Sequence, residues 1–264
     1  MKYTHVFWDW NGTLLDDLDY CIDVVNVSLS SRGMNIMTKE TYHKLFRFPI
    51  KDYYRDLGFD FEKDSYDDLA VEFNSNYALY DDKLSLRKHA KEVLAVFRGK
   101  KIPQYILSAS ERVVLETALA RYGIDGYFEK VLCTDNVLAE GKISYGKKFV
   151  DTLPVDRKIL LVGDTEHDIE TAEAIGADVV LVKGGHTSDE KLSTLGVKVI
   201  SDLHELYPII LGETVSPAKI KPPMTAAEAE KRSFDINEAE PKNFRTRYKD
   251  FYDDLKNTNK TEDW

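Results

Sequence analysis

The sequence predicts an α/β fold: a parallel sheet with helices on both faces and a helical unit inserted after the first strand. Three observations carry this. Short apolar β-runs alternate with helical stretches from Pro103 to Ile200. The runs are nearly continuous in Val, Ile, Leu and aromatic residues, as strands covered on both faces are. The stretch from about Leu14 to Lys83 shows helical periodicity with no comparable β-run, and it is too long for a crossover. Together they describe a Rossmann-like parallel sheet core with an inserted α-helical cap domain.

The elements follow in order. Thr4 to Asp9 is the first strand, short, aromatic and β-branched, and it ends at the turn signal Asn11-Gly12. Cys21, Val24, Val25, Val27 and Leu29 mark the first inserted helix, which Arg32-Gly33 ends. Pro103 to Leu107 is the next strand, followed by a helix from Glu111 to Tyr122 that Gly123 closes. Lys130 to Thr134 is a short strand, and a helix is expected over Tyr145 to Leu153. Lys158 to Val162 forms a strand ending in Gly163-Asp164, and a helix from Asp168 to Ile175 stops at Gly176. Asp178 to Val182 is a further strand, with a weak one at Val197 to Ile200. This gives a core of residues 1–15 and 87–212, a helical cap of 16–86, and a tail of 213–264. In the tail, Ser216-Pro217 and Pro222-Pro223 read as a linker, and Thr225-Ala-Ala-Glu228 as a capping box. Phe244, Tyr248, Phe251, Tyr252 and Leu255 share one face of a final helix, suited to docking on the core or on a second copy or partner.

Bulk properties narrow the partners. The 264 residues are 43% hydrophobic, enough for a sizeable core. A net charge of -10 argues against nucleic acid and anionic membrane as partners. Cys21 and Cys133 lie in apolar stretches without metal spacing and read as reduced core thiols. The N-terminal residues carry charge and lead into a strand rather than a leader, and no apolar run is long enough to span a bilayer. A cytoplasmic monomer or homodimer is the expectation.

Three features stand at strand ends: Asp9-Trp-Asn-Gly-Thr-Leu14, Ser108, and Gly163-Asp-Thr-Glu-His-Asp168. Each alone is commonplace as a turn or helix cap. Together they converge on the carboxyl edge of one sheet, where ligands bind. A carboxylate there can attack phosphorus and form an aspartyl-phosphate. The phosphoryl oxygens then need positive charge and hydrogen-bond donors. Mg²⁺ supplies the charge and prefers a few carboxylates plus water. Asp9 and Asp164 would hold it with Asp168 close by, while Ser108 and nearby amides hold the phosphoryl oxygens. Gly12 permits a tight turn around the anion. A lysine is expected to offset the clustered carboxylates.

This arrangement resembles the haloacid dehalogenase superfamily over roughly Lys2 to Leu211. The first motif of that family, Asp-x-Asp-Gly-Thr-Leu, is matched by Asp9 to Leu14 except at Asn11; Ser108 matches the second, and Gly163 to Asp168 the fourth. Lys142 is the candidate for the third-motif lysine, with Lys147 and Lys148 better read as a solvated helix face. The resemblance implies Mg²⁺-dependent hydrolysis of a small phosphorylated metabolite, with Asp9 as nucleophile. Asp9, the backbone carbonyl of Asn11, Asp164 and Asp168 would serve the metal. Trp10, Gly12, Thr13 and Ala109 would surround the phosphoryl group. The inserted region resembles the cap of phosphoglycolate-phosphatase-like members, in which a loop closes over the substrate. Arg47 and Lys51 in Arg47-Phe-Pro-Ile-Lys51 could then meet a distal anionic group, or else be two solvated charges. His167 is expected to be exposed at a helix start.

Asn11 departs from the pattern. The family's phosphatases carry there an Asp that protonates the leaving group and then activates water. An amide cannot donate and recover a proton this way, and such help is worth about 10²–10⁴-fold in rate. Slow turnover of alkyl phosphates and an accumulating phosphoenzyme are therefore expected. Two alternatives stay open: carbon–phosphorus cleavage with Lys51 as a Schiff-base lysine, and a weakened phospho-ligand-binding protein acting through its tail. Dehalogenation is disfavoured, because Asp164 and Asp168 suit Mg²⁺.

Overall fold

The computed structural model describes residues 2–80, 83–134 and 141–212. The tail, with its expected capping box and final helix, lies outside the described residues. In chain order the elements are β1 (His5–Trp8), β2 (Leu15–Asp16), α1 (Leu18–Ser31), α2 (Lys39–Leu45), α3 (Ile50–Asp56), α4 (Tyr66–Tyr77), β3 (Ser85–Leu86) and α5 (Ala90–Gly99). They continue with β4 (Gln104–Glu111), α6 (Arg112–Tyr122), β5 (Lys130–Thr134), α7 (Lys142–Val150), β6 (Ile159–Gly163), α8 (Glu166–Ile175), β7 (Asp178–Val182), α9 (Asp189–Leu192), β8 (Lys198–Ile200) and α10 (Leu206–Leu211).

Six strands form one parallel sheet in the order β5-β4-β1-β6-β7-β8. β1 is central, with Trp8 in register with Ile106 on one side and Val162 on the other. Every residue of β1 and β6 is buried, which explains their unbroken apolar character. Alternate side chains feed separate layers. Val6, Trp8, Leu160 and Val162 join a core closed by α5, α6 and α10. Phe7, Leu161, Tyr105 and Leu107 join another, closed by α7 and α8. The chain runs outward from β1 through β4 to β5, then returns to β6 and runs the other way. The carboxyl ends of β4, β1 and β6 therefore meet at a topological switch point.

Helices α1 to α4 sit between β1 and β4 and carry their own apolar cluster. Leu18, Ile22, Val25 and Leu29 of α1 face it at helical spacing, while Cys21 and Val24 turn to the sheet core. Val27 does not join either layer; it is 48% exposed on the outer face. Both cysteines are free and buried.

Other boundaries differ from expectation for local reasons. β4 continues to Glu111, so Ser108 lies within the strand, and its register against β5 shifts between Leu107 and Glu111. Glu111 also caps α6, accepting from the Val114 amide at 3.1 Å. α7 starts at Lys142 rather than Tyr145, entered from Gly141 at φ +91°, and ends at Val150. The inserted unit is tethered by a two-stranded antiparallel ribbon pairing Leu15 with Leu86 and Asp16 with Ser85. Strands of two residues leave no periodicity to read.

Candidate active site

Lys142 organises the carboxylates at the switch point. Its Nζ donates to Asp9 Oδ1 and Asp168 Oδ1, both at 2.6 Å, and its side chain is 4% exposed. Asp9 follows β1 and Asp168 sits in the first turn of α8. The Asp168 Oδ2 takes the Asp164 amide at 3.1 Å and the Thr165 amide and hydroxyl at 2.9 and 2.8 Å. Asp164 is fixed by the Thr13 hydroxyl at 2.8 Å and the His186 amide at 2.7 Å. Burial alone would raise every one of these carboxyls. For Asp168 burial is the largest single influence, but the Lys142 charge together with the hydrogen bonds from Lys142 and Thr165 outweighs it and holds the group below the usual range. For Asp9 burial wins over Lys142, helped by the Asp168 and Asp164 charges, and the group is pushed up. Asp164 is also raised, by burial first, against the pull of His186. Burial opposes the Lys142 charge, yet Asp168 and Asp9 keep it well above the ordinary lysine value.

A cation fits this floor. Asp9, Asp164 and Asp168 each offer an oxygen, and those atoms lie within 4.8 Å of one another. Hard carboxylate donors suit Mg²⁺ rather than a soft metal. Burial first, and neighbouring carboxylate charge after it, raise Asp9 and Asp164, and a cation held between them would offset both.

Beside them lies a second buried network. The Asn11 Nδ2 donates to Asp17 Oδ2 at 2.7 Å, and its Oδ1 accepts from the Ser110 hydroxyl at 2.7 Å. Asp17 also accepts from the Gly12 amide and the Tyr77 hydroxyl, both at 2.8 Å. The His186 Nε2 stands 3.3 Å from Asp17 Oδ1, an ion-pair contact rather than an aligned hydrogen bond, and its Nδ1 is 2.7 Å from the Tyr42 hydroxyl. Burial is the largest single influence and disfavours both charges, but their mutual attraction, with the Asn11 and Tyr77 donors on Asp17 and the Asp164 and Asp9 charges near His186, outweighs it: Asp17 is lowered to about 2 and His186 raised to about 9. Gly12 has no room for a side chain. A Cβ there would stand 2.3 Å from Asp164 Oδ2, and φ is +70°. Its amide is taken by Asp17 rather than turned to a ligand. At Gly185 a Cβ would stand 2.2 Å from the same oxygen, so the loop after β7 closes directly over Asp164.

Above this floor is a cavity of about 200 Å³. Trp10, Asn11, Ser108, Ala109, Lys142 and Thr165 line its base, and rings from α2, α3 and α4 line its roof. Thr13 supports Asp164 instead of lining the cavity. Arg47 and Lys51 are turned away. Arg47 pairs with Asp56 at 2.7 Å and Asp52 at 3.6 Å, and Lys51 Nζ lies over the Phe61 and Tyr66 rings at 5.7 and 5.8 Å. Lys147 and Lys148 are exposed on α7. His167 is half-buried rather than exposed, because Phe48 stacks on it at 4.5 Å.

Residues 6–182 match the family model of haloacid dehalogenase-like hydrolases. The chain belongs to this family. No curated protein matches the sequence. Among solved structures, a predicted phosphatase from Clostridium acetobutylicum superposes with a TM-score of 0.65 at 18% identity, covering 81% of this chain and 100% of that one. A predicted phosphoglycolate phosphatase from Haemophilus somnus gives 0.60 at 16% identity, covering 81% and 99%. The protein tyrosine kinase A of Mycobacterium tuberculosis gives 0.65 at 21% identity, covering 79% and 98%. At these identities the likeness is one of fold, and the fold hosts more than one chemistry.

Within this haloacid dehalogenase-like scaffold, Asp17, Tyr77, His186, Tyr42 and Ser110 were not singled out from sequence. One signal existed for His186. Gly184-Gly185-His186 follows β7 at the carboxyl edge of the sheet, where site residues gather. Asp17 reads only as the residue before α1, and it is indeed the cap position there, although its carboxylate makes no cap bond.

Proposed function

We propose that this chain hydrolyses a small phosphorylated metabolite through an aspartyl-phosphate on Asp9, with Mg²⁺ as cofactor. The observation that carries the reading is Lys142, buried and bonded to both Asp9 and Asp168 beside Asp164. Asp9 would attack phosphorus with one carboxylate oxygen while Lys142 holds the other at 2.6 Å and fixes its orientation. Ser108 would donate to a phosphoryl oxygen; its hydroxyl now bonds Ser110 at 3.1 Å and faces the cavity base. Mg²⁺ bound by Asp9, Asp164, the Asn11 carbonyl and, through its neighbourhood, Asp168 would offset charge on the phosphoryl oxygens. Carbon–phosphorus cleavage through Lys51 is disfavoured, since Lys51 lies over Phe61 and Tyr66 and is not part of the cavity wall.

The test is phosphate release from p-nitrophenyl phosphate, a substrate whose leaving group needs little protonation. Wild type with Mg²⁺ should release phosphate, and EDTA or Asp9→Asn should abolish it. Equal rates in wild type and Asp9→Asn would sink the proposal. Acid quenching during steady turnover should trap a phosphoenzyme, because the water-attack step also lacks a carboxyl base at position 11. A quench that traps none would show that another group activates the water.

A further inference from the structure

We infer that the leaving group is a small aromatic ring, so that the bond cleaved is that of an aryl phosphate. This deepens the hydrolase reading above and rests on it. Two independent observations point the same way.

The first is the shape and lining of the cavity. Its roof is made of rings, among them Tyr42, Phe46, Phe48, Tyr53 and Phe73. Its volume of about 200 Å³ lies below the roughly 300–1,000 Å³ of ordinary ligand clefts, and a single ring fits against its ring-lined roof. Among the described residues, the cations on its wall are Lys142 and His186, and both are already paired with carboxylates at the base. Arg47 and Lys51, the cap charges that the sequence suggested for a distal anion, are engaged elsewhere. A carboxylate on the leaving group would be buried among rings without a counter-charge. An aromatic ring would stack there.

The second is the proton inventory at position 11. Asn11 has both polar atoms engaged, by Asp17 and by Ser110, and it carries no proton that it can give up to a departing oxygen. A phenol ionises near pH 10, as tyrosine does, whereas an aliphatic alcohol is closer to water at about 15.7. Only the former leaves readily as an anion. In the proposed step an Asp9 oxygen bonds to phosphorus, the phosphorus–aryl oxygen bond breaks, and phenolate departs with the bonding pair and takes a proton from solvent. Water then attacks phosphorus, the Asp9–phosphorus bond breaks, and inorganic phosphate leaves as the proton of water passes to solvent. Ester and water become phenol and phosphate.

Four substrates separate the two requirements in the full chain with Mg²⁺. Phenyl phosphate has both ring and good leaving group, benzyl phosphate the ring alone, acetyl phosphate the leaving group alone, and 2-phosphoglycolate neither. The two ring substrates should share a low KM, and phenyl and acetyl phosphate should share a high kcat. Phenyl phosphate should exceed 2-phosphoglycolate in kcat/KM by about 10²-fold or more. Phe48→Ala should raise KM for the ring substrates about tenfold more than for acetyl phosphate. Asn74→Lys, which puts a cation on the cavity wall, should shrink the preference for phenyl phosphate over 2-phosphoglycolate by a similar factor. If 2-phosphoglycolate equals or beats phenyl phosphate, or if ring substrates bind no better than acetyl phosphate, the inference is overturned and the hydrolase reading stands. If none of the four is turned over above the Asp9→Asn background, the hydrolase reading falls and this one with it.

Discussion

Asn11 and Asp17 share one hydrogen bond, and that bond decides what a substitution at position 11 can do. Restoring a carboxyl with Asn11→Asp would set a half-buried carboxylate 2.7 Å from the buried one of Asp17. They cannot both ionise at that distance and would share a proton. We expect the variant to lose about 1–3 kcal/mol in urea unfolding at pH 8 with EDTA, and less at pH 5, where the shared proton is easily held. The paired exchange Asn11→Asp/Asp17→Asn restores an amide against a carboxylate and should recover at least part of that loss. An Asn11→Asp protein as stable as wild type at pH 8 would refute the coupling. The coupling was not visible in the sequence. Asp9 and the Asp164–Asp168 pair stand out because each follows a readable strand, and Ser108 because it follows the apolar run that ends at Leu107. Asp17 meets Tyr77 across 60 positions of sequence and His186 from beyond β7, so only the fold brings them together. Position 11 thus reads from sequence as a missing acid, and from the structure as the half-buried amide partner of the buried Asp17 carboxylate.

At the scale of elements, α1 and α4 are joined by Arg32. Its guanidinium donates to Glu72 at 2.8 and 3.1 Å and to Asp64 at 3.1 Å, while the Ser28 hydroxyl donates to Glu72 at 2.6 Å. Burial would raise Glu72, but Arg32 and Ser28 outweigh it and lower its pKa. A lowered folded value means the native state holds the proton less tightly than the unfolded chain. The contribution is therefore complete above the unfolded glutamate value of about 4.3 and is lost as pH falls through the folded value. Glu72→Gln should cost about 1 kcal/mol at pH 7 and should flatten the acid limb of the stability profile below about pH 4.3. An unchanged acid limb would show that the bridge adds nothing. Sequence periodicity found α1 because its apolar spacing is long and regular, and it found the sheet strands because both their faces are covered. It misplaced the start of α7, where a single glycine at φ +91° sets the boundary, and it missed the β2–β3 ribbon. Those features are set by backbone geometry and tertiary pairing rather than by composition.

For the whole molecule the question is which field an incoming dianion meets. At the base of the cavity Asp9, Asp17, Asp164 and Asp168 face Lys142 and a His186 whose pKa is raised to about 9. With a divalent cation in place these charges cancel, and the local field at the site is small. The remaining far field is set by the rest of the chain, which carries -7 once the four carboxylates and Lys142 are taken out of the formal -10, and it repels a phosphate dianion over a Debye length of about 30 Å at 0.01 M salt. Raising the salt to about 0.15 M shortens that length to about 8 Å and removes most of the repulsion. At saturating Mg²⁺, kcat/KM for an aryl phosphate should therefore rise with added salt, by up to about tenfold, the low end of electrostatic effects on encounter, while kcat stays level. A fall in kcat/KM would mean that the cavity attracts the dianion by itself, with the cation and Lys142 outweighing both the carboxylates at its base and the acidity of the chain as a whole.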